Sequence, residues 1–220
     1  MIDAEHFFST AENERIAATI AEVEEKTAGE IAVMVVDESD SYPEGIVLGG
    51  ALLGGLAALA ITDFFFGDSL WVYIPCFVFL ALLAGAVIKR LPLLHWLFIP
   101  ARRLHRRVET RAALAFYARG LHKTRDASGV LFFLSLFERK VWVIADQGIY
   151  QKITQAELQT YTRKIVEGIK SGTKTEALCA EISRFGELLA LHFPIRPDDT
   201  NELPNEIIVE TKANSSSRSR

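Results

Sequence analysis

The sequence predicts an α/β domain interrupted by a membrane hairpin of two helices. Two uncharged apolar runs, about Gly45 to Thr62 and Leu70 to Ile88, follow each other closely. Short runs rich in β-branched and aromatic residues have the length of strands, and helical periodicity with capping signals surrounds them. A mean hydropathy of +0.18, with charged residues still at 24 %, is what a soluble domain averaged with a membrane segment gives. The formal net charge of −4, with no basic face and no zinc-ligand spacing, sets nucleic acid aside.

In chain order, Ser9-Thr10-Ala11-Glu12 fits a capping box. Ile16, Ile20 and Val23 recur at helical spacing, which predicts a helix from Thr10 to Ala28 with Gly29 as a left-handed stop. Ile31 to Val36 is continuously apolar, the pattern of a strand covered on both faces. Asp37 to Tyr42 is a polar loop, and residues 1–43 form the first part of the soluble domain.

Residues 44–100 form the membrane part. At about 1.5 Å rise per residue each apolar run nearly matches a hydrocarbon layer of roughly 30 Å. Trp71 and Tyr73 stand near one end of the second run, where amphipathic rings favour headgroups, and Pro75 sits near its start. Gly49, Gly50, Gly54, Gly55 and Gly85 supply small faces for close helix approach, and permit a dimer through the same faces. The alternative, a helical hairpin buried in a soluble core, asks for more surrounding sequence than the chain offers.

The connection at 63–69 carries Asp63 and Asp68, whereas Lys89, Arg90, Arg102, Arg103, Arg106 and Arg107 follow the second run. By the positive-inside rule this integral membrane protein, expected in a bacterial inner or cell membrane, keeps its soluble domain and both termini in the cytoplasm. The first fifteen residues carry Asp3, Glu5, Glu12 and Glu14 and no apolar core, so targeting is expected from the internal runs. Leu91 to Ile99, with Trp96 between Pro92 and Pro100, is too short to cross. It reads either as an interfacial segment leading into a basic helix that meets anionic headgroups, or as a linker packed on the domain.

The second part of the soluble domain covers 101–193. Leu104, Val108, Ala112, Ala115 and Leu121 predict a long helix from Arg102 to His122. Gly129 to Phe137 and Val141 to Ala145 read as two buried strands, joined through Glu138-Arg139-Lys140 into an antiparallel hairpin. Capping boxes at Thr154-Gln155-Ala156-Glu157 and Thr173-Lys174-Thr175-Glu176 open two further helices, ended by Gly172 and Pro194. Residues 194–220, rich in Pro, Asp, Asn, Ser and Arg, predict a mostly disordered tail. Cys76 lies in the second apolar run and Cys179 in a helix, so no disulfide between them is expected.

Three segments resemble the TPM domain family, whose members include thylakoid-lumen phosphatase-like and photosystem-repair proteins. They are Gly29 to Val36, Asp126 to Ser135, and Arg139 to Ile149, similar to the family's E-I-x-V strand, D-N-G-V-L strand, and R-x-x-x-I strand with its Gly-rich turn. The chain departs from the pattern at Asp126-Ala127-Ser128-Gly129 and at Asp146, Gly148 and Tyr150. The resemblance implies a three-layer α/β/α sandwich, here with an inserted two-helix transmembrane hairpin. It also implies either an accessory role among membrane proteins or a divalent-metal-dependent phosphatase.

A right-handed crossover from the first strand through the long helix makes the first two strands parallel, so Glu30, Asp126 and Asp146 converge at one edge. Arg139 and Lys140 then face the headgroups from the other edge. With His122 one turn away as an outer partner, the three carboxylates form a candidate oxygen site for Ca²⁺ or Mg²⁺. The competing reading makes Asp126 and Asp146 turn residues and Glu30 a solvated strand edge. No G-x-S-x-G or P-loop is present, Cys179 has the spacing of a core residue, and His6, His95, His105 and His192 are scattered without ligand spacing. The readings carried forward are a membrane-anchored, non-catalytic module that assists other membrane proteins, with lipid and a membrane protein as partners, and a metal-dependent phosphatase.

Overall fold

The computed structural model describes residues 3–67, 69–195 and 205–211. In chain order these form α1 (Thr10–Glu24), β1 (Ile31–Val36), α2 (Pro43–Phe66), α3 (Leu70–Arg90), α4 (Pro92–Leu97), α5 (Ala101–Ala118), a 3₁₀ turn (Leu121–Lys123), β2 (Val130–Ser135), β3 (Lys140–Ala145), α6 (Gln147–Tyr150), α7 (Gln155–Ser171), α8 (Lys174–His192) and β4 (Ile208–Glu210). Two compact units result: Met1–Ser39 with Arg106–Arg220, and Asp40–His105.

The first unit is built on a four-stranded sheet of order β3-β2-β1-β4. β1 and β2 are parallel, in register from Ile31↔Val130 to Val36↔Ser135, as a crossover through α5 requires. β2 and β3 are antiparallel from Val130↔Ala145 to Ser135↔Lys140. Val33, Val35, Phe132 and Leu134 point into a core filled by Ile16 and Ile20 of α1, Ile165 of α7, and Ile182 and Phe185 of α8. Their alternates, Met34, Val36, Leu131 and Phe133, meet Val108, Ala112, Ala115 and Phe116 of α5. Both faces of β1 and β2 are therefore covered, which explains their unbroken apolar sequence. This is the three-layer α/β/α arrangement.

Several boundaries differ from expectation. α1 stops at Glu24, four residues before Ala28, and Gly29 does not take the left-handed conformation. Gly29 is packed against α8 instead, where a Cβ would stand 2.8 Å from the Leu189 Cδ1 and displace that side chain. The long basic helix ends at Ala118, where Gly120 at φ 79° turns the chain into the 3₁₀ turn. Boxes form at Ser9–Glu12 and Thr154–Glu157, but not at Thr173. There the Thr173 hydroxyl is turned to the end of α7, 3.0 Å from the Ser171 hydroxyl and 3.4 Å from the Gly168 carbonyl, and Glu176 reaches Arg15, so neither half of the box closes. β3 is buried only at alternate residues, as befits an edge strand. The expected tail contains an ordered strand, β4, parallel to β1 from Met34↔Ile208 to Val36↔Glu210. The rest of the tail at 196–204 and 212–220, and Asp68 of the inter-span connection, lie outside the described residues.

In the second unit α2 and α3 pack through their small residues. A Cβ at Gly54 would stand 2.4 Å from the Ala81 Cα, and one at Gly50 2.8 Å from the Ala81 carbonyl oxygen. The glycines that the sequence offers for self-association are thus used by the two helices on each other. α3 begins at Leu70 as expected, and Pro75 lies inside it and not at its start. Leu91 to Ile99 is a short helix, and His95, scattered and without signal in the sequence, is buried with Nε2 2.9 Å from the Tyr42 carbonyl oxygen. Arg103 Nε donates to Glu44 at 2.5 Å.

Candidate functional site

The loops at one end of the sheet hold the acidic residues. The parallel ladder runs one residue past β1, Val130 N–H donating to the Glu30 carbonyl at 2.8 Å. The antiparallel ladder likewise continues from Asp146 N–H to the Gly129 carbonyl at 2.9 Å. Glu30 and Asp146 are consequently set on either side of Gly129. Gly129 admits no side chain, since a Cβ would fall 2.2 Å from the Leu121 carbonyl oxygen, and this seats the 3₁₀ turn carrying His122 against the same end.

The loop at 124–129 is fixed by its own polar groups. Ser128 is fully buried; its N–H donates to the Thr124 hydroxyl at 3.0 Å and its hydroxyl to the Ala28 carbonyl at 2.9 Å. Gly148 N–H donates to the Ala127 carbonyl at 3.1 Å, and a Cβ on Gly148 would stand 2.6 Å from the Asp126 carbonyl oxygen. Asp126 and Asp146 are therefore held together through backbone. Ala127 takes φ 51°, in the left-handed region that an Ala side chain rarely adopts.

Glu30, Asp126 and Asp146 thus gather at one end of the sheet, as the topology demands. Their side chains serve different partners. Asp146 caps α6, its Oδ1 accepting from Gln147 N–H at 2.7 Å, while Oδ2 is buried without a hydrogen-bond partner. The His122 ring packs 5.0 Å from Tyr117, and its Nδ1 is buried without a partner. Glu30 is 6 % exposed. Among the described residues, no three His, Cys, Asp or Glu side chains are grouped so as to hold a metal ion. In this arrangement the ligand set for Ca²⁺ or Mg²⁺ is not assembled.

Glu24 enters the acidic end unannounced by its sequence position. Its Oε1 accepts from Ile31 N–H at 2.9 Å, so a carboxylate stands where a neighbouring strand would offer a carbonyl. Burial, with the nearby Glu30 charge adding to it, pushes the Glu24 carboxyl up to about 7, against the hydrogen bonds from Ile31 and Asn205.

The membrane residues fall as follows. α2 and α3 are each long and apolar enough to cross a membrane. Only 33 % and 11 % of their apolar spans are buried, unlike helices in the middle of a soluble core. Val47, Leu56, Phe64, Phe79 and Leu82 are exposed, as is Trp71, while Tyr73 is half-buried. Lys89 and Arg90 close α3 at its carboxyl end, where cations oppose the helix dipole. Trp96, Arg102 and Arg106 are exposed and Arg107 is half-buried; Arg103 is engaged by Glu44.

A sheet of this order with one helix on one face and three on the other defines a class of small α/β/α domains. Residues 98–188 match the model of the TPM domain. It is similar to the BA42 protein of the psychrophilic bacterium Bizionia argentinensis, an NMR structure. The two superpose with a TM-score of 0.59 at 20 % identity, over 93 % of this chain and 96 % of that one, a likeness of fold. No curated protein matches.

Proposed function

We propose that the chain is a membrane-anchored TPM-domain module that contacts and assists other membrane proteins without catalysis of its own. The observation that carries this reading is the pair α2 and α3, whose apolar residues are largely exposed and whose close approach is made at Gly50 and Gly54. Such a surface is stable in lipid, and it tethers the attached domain to the plane in which membrane proteins are found. The role asks only for a fold and an anchor, and the acidic end is organised by loop closure and helix capping. By the basic residues after α3, the domain faces the cytoplasm.

The test is made on detergent-purified protein and on native membranes. Phosphatase activity is expected at the level of a blank, unchanged by chelator or by added Ca²⁺ or Mg²⁺. Cross-linked pull-downs are expected to return a membrane protein that a variant lacking the soluble domain does not. Chelator-sensitive hydrolysis that disappears in Asp126→Ala would replace this reading with a metal-dependent phosphatase of the TPM type.

A further inference from the structure

The sheet ends unevenly beside β1. β1 has six residues, and β4 pairs with only the last three, Met34 to Val36. Beyond β4 the Ile31 N–H is taken by the Glu24 side chain. At the other end Asp37 N–H donates to the Glu210 carbonyl at 3.3 Å. An edge finished by three residues and a carboxylate is a place where another strand can pair.

What occupies it shows what it accepts. Ile207 and Val209 pack against the core under α1, α7 and α8, while Ile208 packs against the core under α5. Glu210, 9 % exposed, receives the Arg111 Nη2 of α5 at 2.6 Å. The groove therefore reads an extended segment running parallel to β1, with aliphatic side chains at successive positions and then a carboxylate placed for Arg111.

We propose that the outer edge of β1 is a docking site for an extended aliphatic segment of a partner protein ending in Glu or Asp, and that residues 207–210 fill it in cis until that segment displaces them. Main-chain pairing with β1 supplies affinity, and the two pockets with Arg111 supply sequence preference. A tethered strand competes at an effective concentration on the order of millimolar, so a free segment gains the edge only when it pairs over more of β1 than β4 does. The proposal names the kind of contact that the interaction reading calls for, and it rests on that reading.

The probe is a fluorescent peptide with the chain's own sequence Asn205 to Thr211, added to full-length protein in detergent. Ile208→Pro removes an N–H that faces β1 and a half-buried aliphatic group from β4, and leaves β1 intact. The peptide is expected to bind Ile208→Pro at least tenfold more tightly than it binds the unaltered chain. Adding Arg111→Glu should reverse that gain, and a peptide with Lys in place of Glu210 should restore it. Equal binding to the unaltered chain and Ile208→Pro, or binding indifferent to the charge exchange, would overturn the site.

If Ile208→Pro does not fold, hydrogen exchange of the unaltered chain decides. Asp37 N–H, held by β4, should exchange at least a hundredfold faster than Leu136 N–H, held by β1 at 3.0 Å. Equal protection would mean that β4 never leaves. Failure of either measurement removes the edge but leaves a partner found by pull-down standing, whereas a failed pull-down leaves peptide exchange measurable.

Discussion

Glu24 occupies a position where negative charge is costly: half-buried, beside Glu30, and yet needed as the acceptor for Ile31 N–H. Its folded carboxyl titrates near 7, above its ordinary 4.5. The folded protein therefore binds a proton that the unfolded chain releases earlier, and stability falls as pH rises through that window. Glu24→Gln keeps an oxygen for Ile31 and removes the charge. At pH 5 the variant should melt within a degree or two of the parent, whereas at pH 8 it should be more stable by about 1–2 kcal/mol, discounted for solvent at a partly exposed group. Melting curves at the two pH values check this, and a difference independent of pH would refute the buried-charge account. Glu30, Asp126 and Asp146 could be placed from the sequence because strand order fixes which loops share a sheet end. Glu24 could not: helical spacing puts it in line with Ile16 and Ile20, but its bond to Ile31 N–H depends on how the chain turns from α1 into β1.

At the scale of elements, local chemistry was legible wherever it was self-contained. The boxes at Ser9 and Thr154 close because cap and N3 residue need nothing else, and β1 is found at Ile31–Val36 because both its faces are covered. At Thr173 the same letters fail, since its hydroxyl is held at the end of α7 and Arg15 draws Glu176 away. β4 was illegible for a related reason: three residues in a polar tail carry no periodicity, and their pairing comes from the β1 edge and Arg111. The α2–α3 pair was read from glycine spacing, and it yields a sharp expectation. At Gly54 any side chain meets the backbone of Ala81, which cannot rotate aside. Gly54→Leu should force the helices apart and lower resistance to denaturing detergent by roughly 1–3 kcal/mol or more. Leu56→Val, at an exposed position of the same helix, should change it by less than about 0.5 kcal/mol. Equal behaviour of the two variants in a detergent titration would mean that the close approach at Gly54 does not hold the hairpin.

For the whole molecule, the insertion of residues 40–105 into the soluble unit has a topological consequence. A chain that crosses lipid twice returns to the side from which it left, so β1 and β2 can join one sheet only if both spans form or neither does. The cost of exposing two apolar helices to water, at about 25 cal/mol per Å² of apolar surface, favours both. In the proposed orientation Lys89, Arg90, Arg102 and Arg106 resist translocation and stay on the cytoplasmic side, while the connection between the spans crosses. In a background with Cys76→Ala and Cys179→Ala, a membrane-impermeant maleimide applied to intact cells should label Ser69→Cys and leave Glu14→Cys unlabelled until the membrane is opened. Ser69 lies between the spans and Glu14 on the exposed side of α1, so neither substitution disturbs the core. Labelling of Glu14→Cys alone would invert the orientation, and labelling of neither in intact cells but both after opening would show that the hairpin does not cross. The second result would also remove the anchor on which the proposed role depends, because the exposed faces of α2 and α3 would then need a protein rather than a bilayer to cover them.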